Sequence, residues 1–287
     1  MLAANPAVFA AVAALFGLAI GSFLNVVIHR LPLMLERQWR AQCAEITGHA
    51  ARPEGEPIGL SRPRSRCPSC SAQIRPIHNI PVLSYLALRG RCASCNARIS
   101  LRYPLVELAT AIVSGVVAWH FGFGCQAALA LVFSWYLIAM TGIDLDRQLL
   151  PDVLTLPLLW IGLLASLWPT SGFTSPHDSL IGAGAGYLVL WIVFHAFRLV
   201  TGKDGMGYGD FKLLAAIGAW LGWQMLPLVL LLSAMVGAAV GITLIVTRRH
   251  GRDVPISFGP YLAGAGWIAM LWGPLIVERY LGVAGLH

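Results

Sequence analysis

Predominantly apolar stretches long enough to cross a lipid bilayer recur along this chain, and they constrain its fold more than any other feature. They run from Pro6 to Ile28, Pro104 to Phe121, Ala127 to Ile143, Val153 to Trp168, Ser179 to Val200, Met225 to Val246 and Phe258 to Val277. A shorter one occupies Phe211 to Leu221. Crossing the hydrocarbon core takes about 20 helical residues, because a helix satisfies its own backbone where no water can. In 287 residues that are 57% hydrophobic and only 11% charged, this predicts an all-α polytopic membrane protein of about eight transmembrane helices. No basic residue precedes the first stretch, which therefore reads as a retained helix and not a cleaved signal.

One long interruption breaks the pattern. Between His29 and Tyr103 stand twelve arginines against four glutamates, a balance of +8 in a chain whose total is +7. The expected organisation is a first helix over residues 1–30, an Arg-rich insert over 31–103, and a seven-helix membrane domain over 104–287. Only Trp39 and Tyr85 stand among the arginines, too few aromatics for the stacking that nucleic acid requires, so a nucleic-acid partner is not expected. Basic residues beside membrane helices favour the cytoplasmic side instead. With the insert inside, Arg147, Arg198, Lys203, Lys212, Arg248, Arg249 and Arg252 also fall inside, and of twenty Lys and Arg only Arg279 lies outside. Eight spans with both termini outside give this partition.

The same topology brings two acids to one side. Asp144 closes the third apolar stretch, and Asp210 opens the sixth within Gly205-Met206-Gly207-Tyr208-Gly209-Asp210-Phe211-Lys212. Charges at such positions are costly and point to function. Asp210 also suits a helix N-terminus, but Asp144 sits at a C-terminus, where the helix dipole disfavours it. Two carboxylates held close share a proton, giving an acid and a base at one spot, which is the arrangement for aspartic peptide hydrolysis. Gly207 and Gly209 allow unusual backbone angles and close approach of a substrate chain. Paired acids also serve ion-coupled transporters, though usually nearer the midplane and with repeated halves.

Within the insert, Cys67-Pro68-Ser69-Cys70 and Cys92-Ala93-Ser94-Cys95 are two C-x-x-C pairs. Four thiolates at this spacing form a closed tetrahedral metal site, zinc being the expected ion in a reducing compartment. Redox-active dithiols or two local disulfides are the rival readings. A membrane-tethered zinc-binding adaptor is a further alternative for the whole protein.

The Gly-x-Gly-Asp motif ending at Asp210 resembles the signature of the type IV prepilin peptidases, a family of intramembrane aspartic proteases. Five further blocks are similar to that family in order: Gly21 to Pro32, Asn79 to Tyr85, Arg102 to Glu107, Ile143-Asp144 with Leu149 to Asp152, and Phe258 to Tyr261. His78 departs from the acidic residue many members carry before Asn-Ile-Pro.

The resemblance implies removal of the basic leader from prepilins and type II secretion pseudopilins at the cytoplasmic face of a bacterial inner membrane. It implies Asp144 and Asp210 as the catalytic pair. In bifunctional members, which share the four-cysteine insert, it also implies methylation of the new N-terminus with S-adenosylmethionine. No Gly-rich loop after a strand is present to bind that co-substrate. Asn25, His29 and Glu107 are the candidates for methyl transfer. Their bland readings are an interhelical hydrogen bond, an interfacial position and a helix N-terminus respectively.

Overall fold

The computed structural model describes residues 5–48, 58–168, 172–247 and 257–284. Arg52, Glu54, Glu56, Arg248, Arg249 and Arg252, used above for charge and topology, lie outside the described residues. The chain forms two compact units, Met1–Phe123 and Gly124–His287.

The first unit opens with α1, Pro6–Thr47, whose N-cap Asn5 accepts hydrogen bonds from the amides of Ala7 and Val8. The sequence predicts its end near Ile28, but the helix continues through Thr47 for 42 residues in all. At 1.5 Å per residue it is about 63 Å long, roughly twice the hydrocarbon thickness. Its second half is therefore a soluble extension. Leu33 to Thr47 is rich in Leu, Glu, Arg, Gln and Ala, which propagate a helix readily. Pro32 lacks an amide to donate and crowds the carbonyl four residues back, a local cost the helix tolerates. Gly48, at φ 67°, then terminates the helix by donating to Ala44 and Glu45 carbonyls.

Residues 58–101 hold two copies of one small turn. Cys67 N–H donates to Ala72 O at 2.9 Å and Ser71 N–H to Cys67 O at 2.9 Å; Cys92 with Ala97, and Asn96 with Cys92, repeat these bonds at 2.9 and 3.0 Å. Ser71 and Asn96 both have φ 58°. An isolated antiparallel bridge closes each copy, Arg66 with Gln73 and Arg91 with Arg98. Between them lie a 3₁₀ turn, Pro76–Asn79, and the short α2, Leu83–Ala87.

Before α2 the chain makes an unusual turn. Val82 sits at φ 57°, ψ −47°, and Leu83 N–H donates to Pro81 O across it at 2.5 Å. This is the strained form of the γ-turn. A β-branched residue held there costs on the order of 1–3 kcal/mol.

The helix α3, Arg102–Phe121, completes the unit by packing along α1. Gly17 and Gly21 admit α3 closely: a methyl on Gly21 would meet the Glu107 Cα at 2.7 Å.

The second unit contains α4, Cys125–Arg147; α5, Asp152–Ala165; α6, Pro176–Thr201; α7, Tyr208–Leu221; α8, Leu226–Val246; and α9, Gly259–Ala284. No strand occurs among the described residues of either unit. All eight apolar stretches form helices, six of them long and apolar enough to cross a membrane. The two others, α5 and α7, have 14 residues each, or about 21 Å of rise, less than the hydrocarbon core.

That shortness suits α7, because it meets little lipid. Every residue from Asp210 to Leu221 except Lys212 is buried, with α5, α6 and α9 packed around it. Gly182 of α6 and Gly218 of α7 face each other so closely that neither position admits a side chain. Polar side chains tie the bundle as well: Trp220 Nε1 donates to Leu158 O at 2.8 Å and Ser179 Oγ to Ala219 O at 2.5 Å.

Candidate active site

Asp144 and Asp210 meet in the second unit. Asp144 lies in the last turn of α4, which ends where Gln148 turns left-handed at φ 52° and donates its amide to Asp144 O at 2.8 Å. Asp210 lies in the first turn of α7, three residues after the N-cap Gly207. The side chains are 5% and 6% exposed, and each carboxylate stands within the electrostatic reach of the other.

Asp144 is fixed from the start of α9. Gly259 N–H donates to its Oδ2 at 3.1 Å and Ser257 Oγ to its backbone carbonyl at 2.9 Å. Asp210 occupies the third helical position of α7, near the Gly207 amide, where the helix dipole favours an acid. It thus also fills the structural role expected of an acid there.

Leu150 packs against Gly209 and Gly259, the glycines beside Asp210 and Asp144. A methyl on Gly209 would meet Leu150 Cβ at 2.6 Å, and one on Gly259 would meet Asp144 Oδ2 at 2.6 Å and Leu150 Cδ1 at 3.1 Å. Gly207 has room, its nearest neighbour in that direction being Asp210 Oδ2 at 3.8 Å. Neither Gly207 nor Gly209 adopts positive φ, so close packing at Gly209, and not an unusual backbone angle, is what needs glycine. Gly259→Ala is therefore expected to displace the Asp144 carboxylate and slow catalysis by about a hundredfold, since misplacing a catalytic group by an ångström costs that much. Gly207→Ala should leave the same geometry intact; equal rates for wild type and Gly259→Ala would contradict the packing argument.

Two partners escaped the sequence reading. Ser257 and Gly259 belong to the stretch before the last helix, where nothing local points at an acid more than 100 residues earlier; the Phe258 to Tyr261 block was the available signal. Asp152 follows Pro151, which holds the N-cap position, and so does not cap its helix. Its carboxylate instead meets Lys212 Nζ at 2.6 and 2.8 Å, linking α5 to α7 two residues from Asp210.

In the first unit Cys67, Cys70, Cys92 and Cys95 converge, all four sulfurs lying within 4.8 Å of one another. Cys67 and Cys95 are 3.8 Å apart, far beyond a disulfide bond. That spacing is also the edge of a tetrahedron with metal–sulfur bonds of about 2.3 Å. The donor set fits a thiophilic cation. Amides of Cys70 and Ser69 pull the Cys67 thiol down to about 6. Cys95 is pushed up to about 12: the Ala97 amide favours its thiolate, but the neighbouring Cys70, Cys92 and Cys67 sulfurs and desolvation oppose it. Crowded thiolates resist forming together unless a cation joins them.

The methyl-transfer candidates are only partly brought together. Asn25 and His29 line a pocket of about 130 Å³ with Ile28, Ser100, Arg102 and Tyr103. Asn25 Nδ2 donates to Tyr103 O at 3.0 Å, the interhelical bond anticipated for it. Glu107 does not line the pocket. Its Oε2 accepts from Val82 N–H at 2.8 Å.

Fold and site together define a polytopic helical membrane protein with two buried, facing carboxylates and a separate four-thiol cluster. Residues 15–121 match the bacterial peptidase A24 N-terminal domain and residues 131–242 the type IV leader peptidase family. The chain is 57% identical over 284 residues to the prepilin leader peptidase/N-methyltransferase of Pseudomonas aeruginosa, covering 99% of this chain and 97% of that protein. Proteins of the same name from Aeromonas hydrophila and Legionella pneumophila are 59% and 47% identical, over 93% and 94% of this chain and 92% and 94% of theirs. The chain belongs to the type IV leader peptidase family, as its motifs led one to expect. No solved structure matches it.

Proposed function

We propose that this protein is a bifunctional prepilin leader peptidase and N-methyltransferase of the bacterial inner membrane. It cleaves the basic leader of prepilins and type II secretion pseudopilins on the cytoplasmic face and methylates the new N-terminus from S-adenosylmethionine. The observation that carries the peptidase half is the pair of buried carboxylates at the adjoining ends of α4 and α7. The residues flanking these ends, Arg147 and Lys212, support the cytoplasmic side.

Asp144 and Asp210 serve as base and acid. The ionised carboxylate takes a proton from water as its oxygen attacks the scissile carbonyl carbon, while the protonated one hydrogen-bonds the carbonyl oxygen. Collapse of the tetrahedral intermediate breaks the C–N bond, and the amine leaves with a proton from a carboxyl group. Gly209 permits the packing that aligns the pair, and Gly207 offers backbone to position the substrate chain.

Methyl transfer is assigned to the first unit, with Asn25, His29 and Glu107 as its residues. Cys67, Cys70, Cys92 and Cys95 hold structural zinc, which leaves no open position for chemistry. The division proposed is a first helix, a cytoplasmic insert and a membrane peptidase domain, the first helix extending past the membrane. Detergent-solubilised protein incubated with a precursor pilin and S-adenosylmethionine should yield a shortened product carrying one added methyl mass. Shortening without the methyl would remove the transferase half; an intact precursor would remove the peptidase.

A further inference from the structure

The Glu107 carboxylate lies where three segments meet. It is carried by α3, it accepts the Val82 amide at 2.8 Å, and Ser22 of α1 lies within its electrostatic reach. Glu107 is 8% exposed and is not among the residues that line the pocket with Asn25, His29 and Arg102. Its acceptor capacity is directed at protein groups, not at a reacting atom.

The Val82 amide it holds is the centre of the strained γ-turn. Bonds then run without a break to the second cysteine turn. Leu86 N–H donates to Val82 O at 3.0 Å, Gly90 N–H to Tyr85 O at 2.9 Å and Ile99 N–H to Gly90 O at 2.8 Å. Tyr85 Oη reaches Ile99 O at 3.4 Å, passing so close to Gly90, at φ 67°, that a methyl there would meet it at 2.7 Å. Cys92 follows two residues later. Ser100, which closes the pocket over Asn25 and His29, follows Ile99 directly.

We propose that Glu107 is a positioning residue for methyl transfer, a latch that holds the Val82 turn and, through α2, the four-cysteine module against the α1–α3 pair. This rests on the assignment of methyl transfer to the first unit. Strain at Val82 persists because the surrounding structure holds it, and the buried, charge-assisted bond from Glu107 supplies that hold. Without the carboxylate the turn relaxes, and Ser100 and Arg102 leave the pocket.

Glycine at position 82 separates a latch from a chemical role, because glycine adopts positive φ without strain. Glu107→Ala should slow methylation by about tenfold, the equivalent of one hydrogen bond to a charged group, with cleavage and zinc content unchanged. Adding Val82→Gly should restore methylation to within about threefold of wild type, and Glu107→Gln, which keeps an acceptor, should lose less than Glu107→Ala. Val82→Pro in the otherwise native chain removes the donor and also excludes the positive φ of the turn; it should reproduce the Glu107→Ala defect even if Glu107→Ala folds poorly, and a wild-type methylation rate in Val82→Pro overturns the latch. Amide hydrogen exchange over residues 82–88 should accelerate in Glu107→Ala and recover with Val82→Gly. Failure of Val82→Gly to rescue, or exchange unchanged in Glu107→Ala, overturns the latch. Wild-type protein that exchanges as expected but transfers no methyl would instead overturn the assigned function.

Discussion

Asp144→Asn and Asp210→Asn should each abolish leader cleavage, lowering its rate by at least about 10²–10⁴-fold, the contribution of a positioned acid or base. Asparagine matches the shape of aspartate and keeps an oxygen acceptor. The Gly259 amide that bonds Asp144 Oδ2 at 3.1 Å therefore retains its partner, and the bundle should fold and insert normally. What is lost is the ability to take and return a proton. Because the two groups act as a unit, the double variant should be no slower than either single one. Initial rates of precursor cleavage, normalised to folded protein, measure this. Independent, multiplying losses would show that the acids work separately.

The second large effect concerns the metal. Among the described side chains of residues 58–101 only Cys67 and Gly90 are buried. A segment this size cannot hold itself together by apolar burial, and its regular structure amounts to two bridges, one 3₁₀ turn and the five residues of α2. Binding of structural zinc contributes on the order of 10–16 kcal/mol in comparable peptides, enough to make folding of the insert depend on the ion. Replacing Cys67 and Cys92 by serine removes one ligand from each turn. Bound zinc should fall from about one equivalent to near zero, and the insert should become sensitive to protease. Methylation should weaken at least as much as cleavage, since the acid pair lies in the other unit. Unchanged metal content in the purified variant would refute the site.

Much of this was readable from the residues, for reasons that differ by element. Apolar length specifies membrane helices almost alone, so the eight helices and the ends carrying Asp144 and Asp210 were legible. The cysteine cluster was legible because its spacing is local. Its duplication, Arg-Cys-x-Ser-Cys-x-Ala-x-Ile at 66–74 and again at 91–99, was visible too, though only the cysteines were read. The extension of α1 was hidden by Pro32, which ordinarily marks a boundary, although the helix-forming composition after it carried the signal. Contacts between distant segments leave no local trace. Gly259 and Ser257 on Asp144, Lys212 on Asp152, and Val82 on Glu107 each join residues at least 25 positions apart, and neither periodicity nor propensity reports such pairs.

The claim on which the rest depends is that the ends of α4 and α7 that carry Asp144 and Asp210 adjoin. A short bis-maleimide applied to an Asp144→Cys/Asp210→Cys protein, with Cys43 and Cys125 changed to serine, tests it directly. The control pairs Asp144→Cys with Leu221→Cys, which lies about 16 Å along α7 from position 210. An intramolecular cross-link in the first protein and none in the control is the predicted result; no cross-link in the first, or equal yields in both, would contradict it.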